Sequence, residues 1–417
     1  MRDARLLLML VPLMLSACQS SAPAADTPAD TSAVQVTQNA DSAAAEEGDM
    51  MSRSLFRLGN TDRLNKAITK AQSGEVTTVA YIGGSITEGV GAAKGDTKNA
   101  DCYAKLSYEA FAEKYGKGDN VIYVNAGESG TPSQLGNLRA ERDVISKSPD
   151  VVFVEFAVND STDDMAKQSY ESLVRTLLSC ESEPAVVLII NRLENGYSAG
   201  EHMKKIGEHY DLPVISVADA ITPELDSGRM TWDDYSDDSS HPNPEGHKLT
   251  AGFIANMFDK AYETKTEGYV MPETSLYGAP FANAVMITPV DSEKDGLALV
   301  DTGSFKSSAS GSPNFPSSWE YDKEGGDSLK FMGTGTAVYV IFSRNNSDTY
   351  GSFDVYLNGS KAKTMNTNQK DGWGEAFSEQ VIKFQTSREM DIEIVPTEGS
   401  KDRTVRILGI GIADDPA

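Results

Sequence analysis

Between residues 75 and 260 the chain alternates short, almost wholly apolar runs with longer stretches of helical periodicity. The apolar runs at 77–82, 121–125, 151–156, 185–190 and 213–217 are rich in Val and Ile. They lack strict polar alternation, which predicts strands buried on both faces of a parallel sheet. Between them the spacing predicts helices over 102–115, 134–147, 165–179 and 201–209, with Asp101 and Ser133 as N-caps of the first two. A further helix should open at Asn243, with Pro244 in its first position and Leu249, Phe253, Ile254, Met257 and Phe258 on its apolar face. Residues 50–72, containing Leu55, Leu64 and Ile68, predict a short helix against the start of the first strand. Such alternation defines an α/β fold, a parallel sheet with helices on both faces.

After residue 262 the periodicity changes. Residues 263–285 contain Pro272, Gly278 and Pro280 with little regular pattern and read as a linker lying on the surface. Short strands follow at 337–342, 352–357, 380–384, 390–395 and 404–412, and Asn358-Gly359 is a strong hairpin signal between two such runs. Residues 286–417 therefore predict a β-sandwich, jelly-roll-like domain behind an α/β domain at 51–262.

The N-terminal residues are of another kind. Met1 to Arg5 is short and basic, and Leu6 to Leu15 is apolar but too short to span a bilayer, which reads as a signal peptide over 1–17. Leu15-Ser16-Ala17-Cys18 resembles the lipobox of bacterial lipoproteins, which implies lipidation of Cys18 and attachment to a bacterial membrane at the cell surface or envelope. Residues 18–50 then form a tether of Ala, Ser, Thr, Asp and Gln, too poor in large apolar side chains to fold. Such a tether has a root-mean-square reach of about 30 Å. With 62 acidic against 37 basic residues the net charge is −25, which argues against nucleic acid as a partner. Beyond Cys18 only Cys102 and Cys180 remain, at the ends of helices expected on opposite sheet faces, so a disulfide between them is not expected.

Four segments carry candidate chemistry: Gly83-Gly84-Ser85-Ile86-Thr87, Asn125-Ala126-Gly127-Glu128-Ser129-Gly130, Val158-Asn159-Asp160 and Asp238-Ser239-Ser240-His241-Pro242-Asn243. The first three follow predicted strands, and loops leaving the carboxyl ends of parallel strands converge on one crevice. Acyl transfer needs a nucleophile, a base, a group orienting the base, and donors for the oxyanion. Ser85 is the candidate nucleophile. Of the four histidines, His202 and His209 lie on or beside a helix and read as surface residues, and His247 as a packing or capping residue. Only His241 has an aspartate, Asp238, three positions earlier, where a carboxylate can hold the far ring N–H. The backbone N–H groups of Ser85 and Gly130 and the Asn159 amide are the candidate oxyanion donors.

In these blocks the chain resembles the SGNH, or GDSL-like, hydrolases over about residues 75–260. Their serine, glycine, asparagine and histidine fall on Ser85, Gly130, Asn159 and His241, with Asp238 preceding the histidine. One departure is Gly84, where the family name implies an aspartate. The resemblance implies a flavodoxin-like three-layer fold and serine-dependent hydrolysis of carboxylic esters without metal or other cofactor. Asp233, Asp234, Asp237 and Asp238 read as an acidic loop holding the triad rather than a metal site.

The family acts on lipid esters, thioesters and acetylated sugars, and the fold does not choose among them. The second domain resembles the β-sandwich accessory domains of carbohydrate esterases. The loops at 87–99 and 191–200 are polar and glycine-rich. The second domain, with the tethering outside the cell, points to carbohydrate, and the polar loops point to a small acyl group, acetyl, on an acylated small molecule or polysaccharide. A lipase or lysophospholipase, and a glycan-binding lipoprotein without catalysis, are the alternatives. Trp319, Tyr321, Tyr350 and Trp373 are candidates for sugar stacking or for packing between the domains.

Overall fold

The structure, a computed structural model, describes residues 49–93, 101–310, 312 and 314–414. Cys18, with the signal peptide and tether read around it, lies outside the described residues. In chain order the α/β half contains α1 (Met50–Ser54), β1 (Leu55–Arg57), α2 (Asp62–Ser73), β2 (Thr77–Gly83), α3 (Ser85–Glu88), α4 (Tyr103–Tyr115), β3 (Val121–Gly127) and α5 (Ser133–Asp143). It continues with β4 (Val151–Glu155), α6 (Asp164–Ser179), β5 (Ala185–Ile190), α7 (Gly200–His209), β6 (Val214–Ser216), α8 (Val217–Asp226) and α9 (Pro244–Glu263).

The sheet runs in the order β1-β6-β5-β4-β2-β3, parallel except for β1, which lies antiparallel to β6. This is the doubly wound, three-layer arrangement expected. Alternate strand residues feed two cores. Val79, Tyr81, Val151, Phe153, Val187 and Ile189 pack against α2, α4, α8 and α9. Ala80, Ile82, Val152, Val154, Val186 and Leu188 pack against α5, α6 and α7. With both faces covered, no position along these strands is polar by default, hence the continuous apolar runs.

The register sets the height of the site. Gly83 of β2 pairs with Gly127 of β3 on one side and Glu155 of β4 on the other. The three loops that carry Ser85, Gly130 and Asn159 therefore leave the same sheet edge at the same level. They sit where the strand order reverses around β2, the usual position of a ligand crevice in such sheets.

Several local expectations differ from the structure. Leu55 belongs to the antiparallel edge strand β1, and only Leu64 and Ile68 lie on a helix of that region. Cys102, not Asp101, is the cap residue of α4, because the Asp101 carboxylate pairs with Lys105 one turn on. Ser133 is the first helical residue of α5 rather than its cap, and its N–H is satisfied by Asp160 at 2.7 Å from another loop. The strand predicted at 213–217 stops at Ser216, where α8 begins despite Pro223 within it. At α9 the expected cap is present: Asn243 Oδ1 accepts the Gly246 N–H at 3.0 Å and Pro244 opens the helix.

The remaining strands are β7 (Val285–Ile287), β8 (Glu293–Lys294), β9 (Leu297–Asp301), β10 (Phe305–Ala309) and β11 (Ser317–Tyr321). They continue with β12 (Leu329–Asn345), β13 (Ser352–Leu357), β14 (Ser360–Asn366), β15 (Trp373–Pro396) and β16 (Arg406–Ala413). They form one curled antiparallel sheet, in the order β10-β11-β16-β12-β15-β13-β14 with β7, β8 and β9 at its flank. The runs expected at 380–384 and 390–395 are one strand, β15, which follows β12 along its length through register shifts that bend both. Curling brings the two ends of the sheet onto one core, where Trp319 packs edge-on to Phe331 and Phe342 edge-on to Phe353. Asn358 (φ +50°) and Gly359 (φ +77°) make the expected hairpin turn.

The other face of β12 and β16 is also apolar. Ala337, Tyr339, Ile341 and Leu408 meet Leu135 and Leu138 of α5, together with Phe281 and Met286. A Cβ on Gly411 would fall 2.7 Å from a Leu138 methyl, so glycine is what lets the strand approach the helix. The described residues belong to one compact unit. The stretch expected as a surface linker is pinned to it. Buried Glu171 accepts the N–H groups of Leu276 and Tyr277 at 2.5 and 2.6 Å, and Phe281 is buried.

Candidate active site

Ser85 is the first residue of α3, a single helical turn that follows β2 after the extended Gly84. Its Oγ lies 2.9 Å from His241 Nε2, and His241 Nδ1 lies 2.8 Å from Asp238 Oδ2. The other Asp238 oxygen accepts the N–H groups of Ser240 and His241 at 2.6 and 2.7 Å. Burial raises the affinity of the Asp238 carboxyl for its proton, but the bonds from the His241 ring and the two backbone N–H groups outweigh this. They hold it below the usual aspartate range. The loop itself is fixed by Ser236 Oγ, which donates within reach of both the Asp238 and His241 carbonyls, and by Trp232 Nε1, 2.6 Å from the Asp238 carbonyl. Among the acids of this loop, Asp234 caps Thr231 and Asp238 holds His241.

Gly130 takes φ +73°, a conformation that disfavours a side chain, and Asn159 rises from the turn after β4. Ser85, Gly130, Asn159 and His241 line one cavity of about 420 Å³. Asn159 explains the departure at Gly84. A Cβ there would fall 2.3 Å from Asn159 Oδ1, so an aspartate in that place would displace the amide. Oδ1 is buried without a hydrogen-bond partner among the described residues, and Asn159 lines the cavity. Its wall is less polar than the loop composition suggested, since Ile86, Val90, Val158 and Leu193 contribute.

Several groups that support this site carry no sequence signal. Arg139 of α5, fully buried, donates to the Gly83 and Ala126 carbonyls at 3.0 and 2.7 Å and so ties the ends of β2 and β3 together. Glu155 lies beneath α3, where the Thr87 hydroxyl reaches it at 3.3 Å. Burial pushes its carboxyl up to about 7. Asp160 is likewise pushed up to about 7 by burial, and it serves as the cap of α5. His247 bridges the Tyr103 N–H and the Val90 carbonyl at 3.1 Å each, and burial lowers its pKa to about 4. It stays neutral and braces the loop that lies over Pro242. His202, expected on the surface, is 5% exposed between Tyr170 and Tyr277 and is likewise held neutral by burial. His209 bonds the Thr274 carbonyl at 2.8 Å, so neither comes near the cavity.

The aromatic candidates separate. Trp319 and Tyr321 are buried inside the curled sheet, neither stacking on a ligand nor packing between the two halves. Trp373 opens β15 at 60% exposure, and its ring covers Gly130 on the wall of the cavity.

A doubly wound sheet with a serine, histidine and aspartate in hydrogen-bonded series at its carboxyl edge has the form of a serine hydrolase. Residues 81–249 match the model of the GDSL-like Lipase/Acylhydrolase family, which makes this part of the chain a domain of that family and the protein an ester-hydrolysing enzyme. The protein is similar to two solved structures of a two-domain esterase (CEX) active on acetylated mannans. One of them, co-crystallised with mannopentaose, is 25% identical with a TM-score of 0.75, over 88% of this chain and 98% of the other. The second is 25% identical with a TM-score of 0.76, over 88% of this chain and 99% of the other. A search of curated proteins finds no match. The reading as a binding protein without catalysis falls away.

Proposed function

We propose that the protein removes acetyl groups from carbohydrate at the cell surface, with Ser85 as nucleophile, His241 as base and Asp238 as the group that orients it. The observation that carries this reading is the continuous series from Ser85 Oγ through His241 to Asp238, opening into a cavity walled by Trp373. Ser85 Oγ attacks the acetyl carbonyl carbon as its proton passes to His241 Nε2. The oxyanion is stabilised by the N–H groups of Ser85 and Gly130 and by Asn159 Nδ2. Collapse breaks the bond to the sugar oxygen, which leaves as a hydroxyl with the proton from His241. Water then attacks the acetyl-enzyme by the same steps in reverse order, releasing acetate and restoring Ser85.

The carbohydrate assignment rests on two supports. The similar esterase acts on acetylated mannans, and the likeness spans both halves of this chain. An exposed tryptophan at the cavity mouth offers a flat apolar face of the kind on which a sugar ring stacks. The apolar side chains of the cavity favour the lipid alternative, so chain length is the discriminating variable. Burial of each added methylene is worth about 0.8 kcal/mol where a trench exists. In a p-nitrophenyl series kcat/KM should fall from acetyl to butyryl to octanoyl, and acetate should be released from acetylated mannan or xylan faster than fatty acid from lysophospholipid. Trp373→Ala should raise KM for the acetylated oligosaccharide more than for p-nitrophenyl acetate. A rate that climbs with chain length reverses the choice.

The anchor belongs to the same proposal. Cys18→Ser should release the protein from membranes with unchanged specific activity, because about thirty tether residues would separate lipid from enzyme. Membrane fractionation tests this, and continued attachment of the variant removes Cys18 as the lipidated residue.

A further inference from the structure

The turn that presents Gly130 is held by two carboxylates of different origin. Glu88, in the same helical turn as Ser85, accepts the Ser129 N–H at 2.9 Å and also the Ser129 hydroxyl. Glu128, only 4% exposed, reaches instead into the curled sheet half of the chain. It accepts from Ser312 Oγ at 2.6 Å and from Asn314 Nδ2 at 2.7 Å, and the same Asn314 nitrogen donates to the Gly127 carbonyl at 2.7 Å. Beyond Gly130, the Trp373 ring stands where a Cβ would be, and Ser378 Oγ bonds Gln134 Oε1 at 3.1 Å.

Adhesion between the two halves does not need this arrangement. The apolar contact of Leu135, Leu138, Phe281, Met286, Tyr339 and Leu408 already supplies it, and a buried carboxylate is a costly way to add more. What the polar contacts do is local. They land on Gly127 and Glu128, just before the glycine whose N–H must face the oxyanion. Gly130 has no side chain with which to anchor itself.

We infer that Asn314, and to a lesser degree Ser312, are positioning residues for hydrolysis: through Glu128 and the Gly127 carbonyl they aim the Gly130 N–H, so that both halves of the chain build the catalytic centre. This rests on the reading of Gly130 as an oxyanion donor. The curled sheet is then a working part of the esterase, beyond any contact it makes with sugar.

The test uses the full chain and p-nitrophenyl acetate, a substrate too small to need a sugar-binding surface. Loss of a donor costs about 10²–10³-fold, and misplacement by about 1 Å about 10²-fold. Asn314→Ala should therefore lower kcat by about tenfold to a hundredfold, with KM changed less than about twofold and a cooperative thermal transition retained. Phosphonate labelling of Ser85 should slow in parallel, since the phosphoryl oxygen occupies the same donors. Ser312→Ala should move kcat in the same direction by less, and it decides the matter if Asn314→Ala does not fold. Unchanged kcat in the folded variants overturns the inference and reduces these contacts to an interface. Activity surviving in Ser85→Ala would instead overturn the underlying site reading, so the two failures are separable.

Discussion

Ser85→Ala and His241→Ala should each lower kcat on p-nitrophenyl acetate by about 10⁴–10⁶-fold, and the double variant should be scarcely worse than either alone. In the proposed mechanism nucleophile and base act as one unit: without Ser85 Oγ no acyl-enzyme forms, and without His241 Nε2, 2.9 Å away, nothing accepts the serine proton. Stability should hardly change for Ser85→Ala. Its hydroxyl bonds only the His241 ring among the described residues, and a single partly accessible hydrogen bond is worth about 1 kcal/mol. Thermal unfolding and circular dichroism should therefore match wild type while turnover is lost. A serine-directed phosphonate should label wild type at Ser85, located by peptide mass spectrometry, and should fail to label the alanine variant. Labelling at another serine, or activity in His241→Ala within tenfold of wild type, removes the proposed triad.

Asp238→Asn should cost about 10⁴-fold in kcat, by analogy with the corresponding change in serine proteases. The reason lies in which ring nitrogen carries the proton. The carboxylate accepts from Nδ1 at 2.8 Å, so Nε2 is left unprotonated to take the proton from Ser85. An asparagine keeps its oxygen on the Ser240 and His241 N–H groups and turns its NH₂ toward Nδ1. The ring then carries its proton on Nε2, where it cannot act as base. The fold should survive, because the two backbone bonds that shape the loop remain. In wild type the Asp238 carboxyl is held below the usual aspartate range. Its protonation should therefore limit the rate only at pH values below about 4, the ordinary aspartate range. A pH profile of kcat/KM, with the variant measured beside wild type, checks both statements. A loss smaller than about tenfold in Asp238→Asn would show that the carboxylate does not set the tautomer.

How far these residues were legible depended on the range of the interactions that place them. Ser85 and Asn159 follow apolar strands within a few residues, and Asp238 stands three positions before His241. Strand, turn and partner are all local, so their pattern survives in one dimension. The same holds for Asn243 and Pro244 at the start of α9, and for Asn358-Gly359 in its hairpin. The caps of α4 and α5 were misplaced for the converse reason. Asp101 is taken by Lys105, and the first N–H of α5 is satisfied by Asp160 from a loop 27 residues away. His202 read as a surface residue because nothing near it in sequence announces that Tyr277, from the stretch after α9, covers it.

By itself the sequence determined the α/β alternation, the strands buried on both faces (except β3, an edge strand whose Ile122 is exposed), the order of the four chemical blocks and the β-rich second half. All follow from periodicity and turn chemistry acting over a few residues. Tertiary structure alone decided that Gly83, Gly127 and Glu155 end level, so that three loops open on one cavity. It decided that Trp373 covers Gly130, that Gly84 makes room for the Asn159 amide, and that Glu128 finds Ser312 and Asn314 about 185 positions further along the chain. A buried carboxylate or an uncovered aromatic ring takes its meaning from the surface that packs against it, and that surface comes from the other half of the chain.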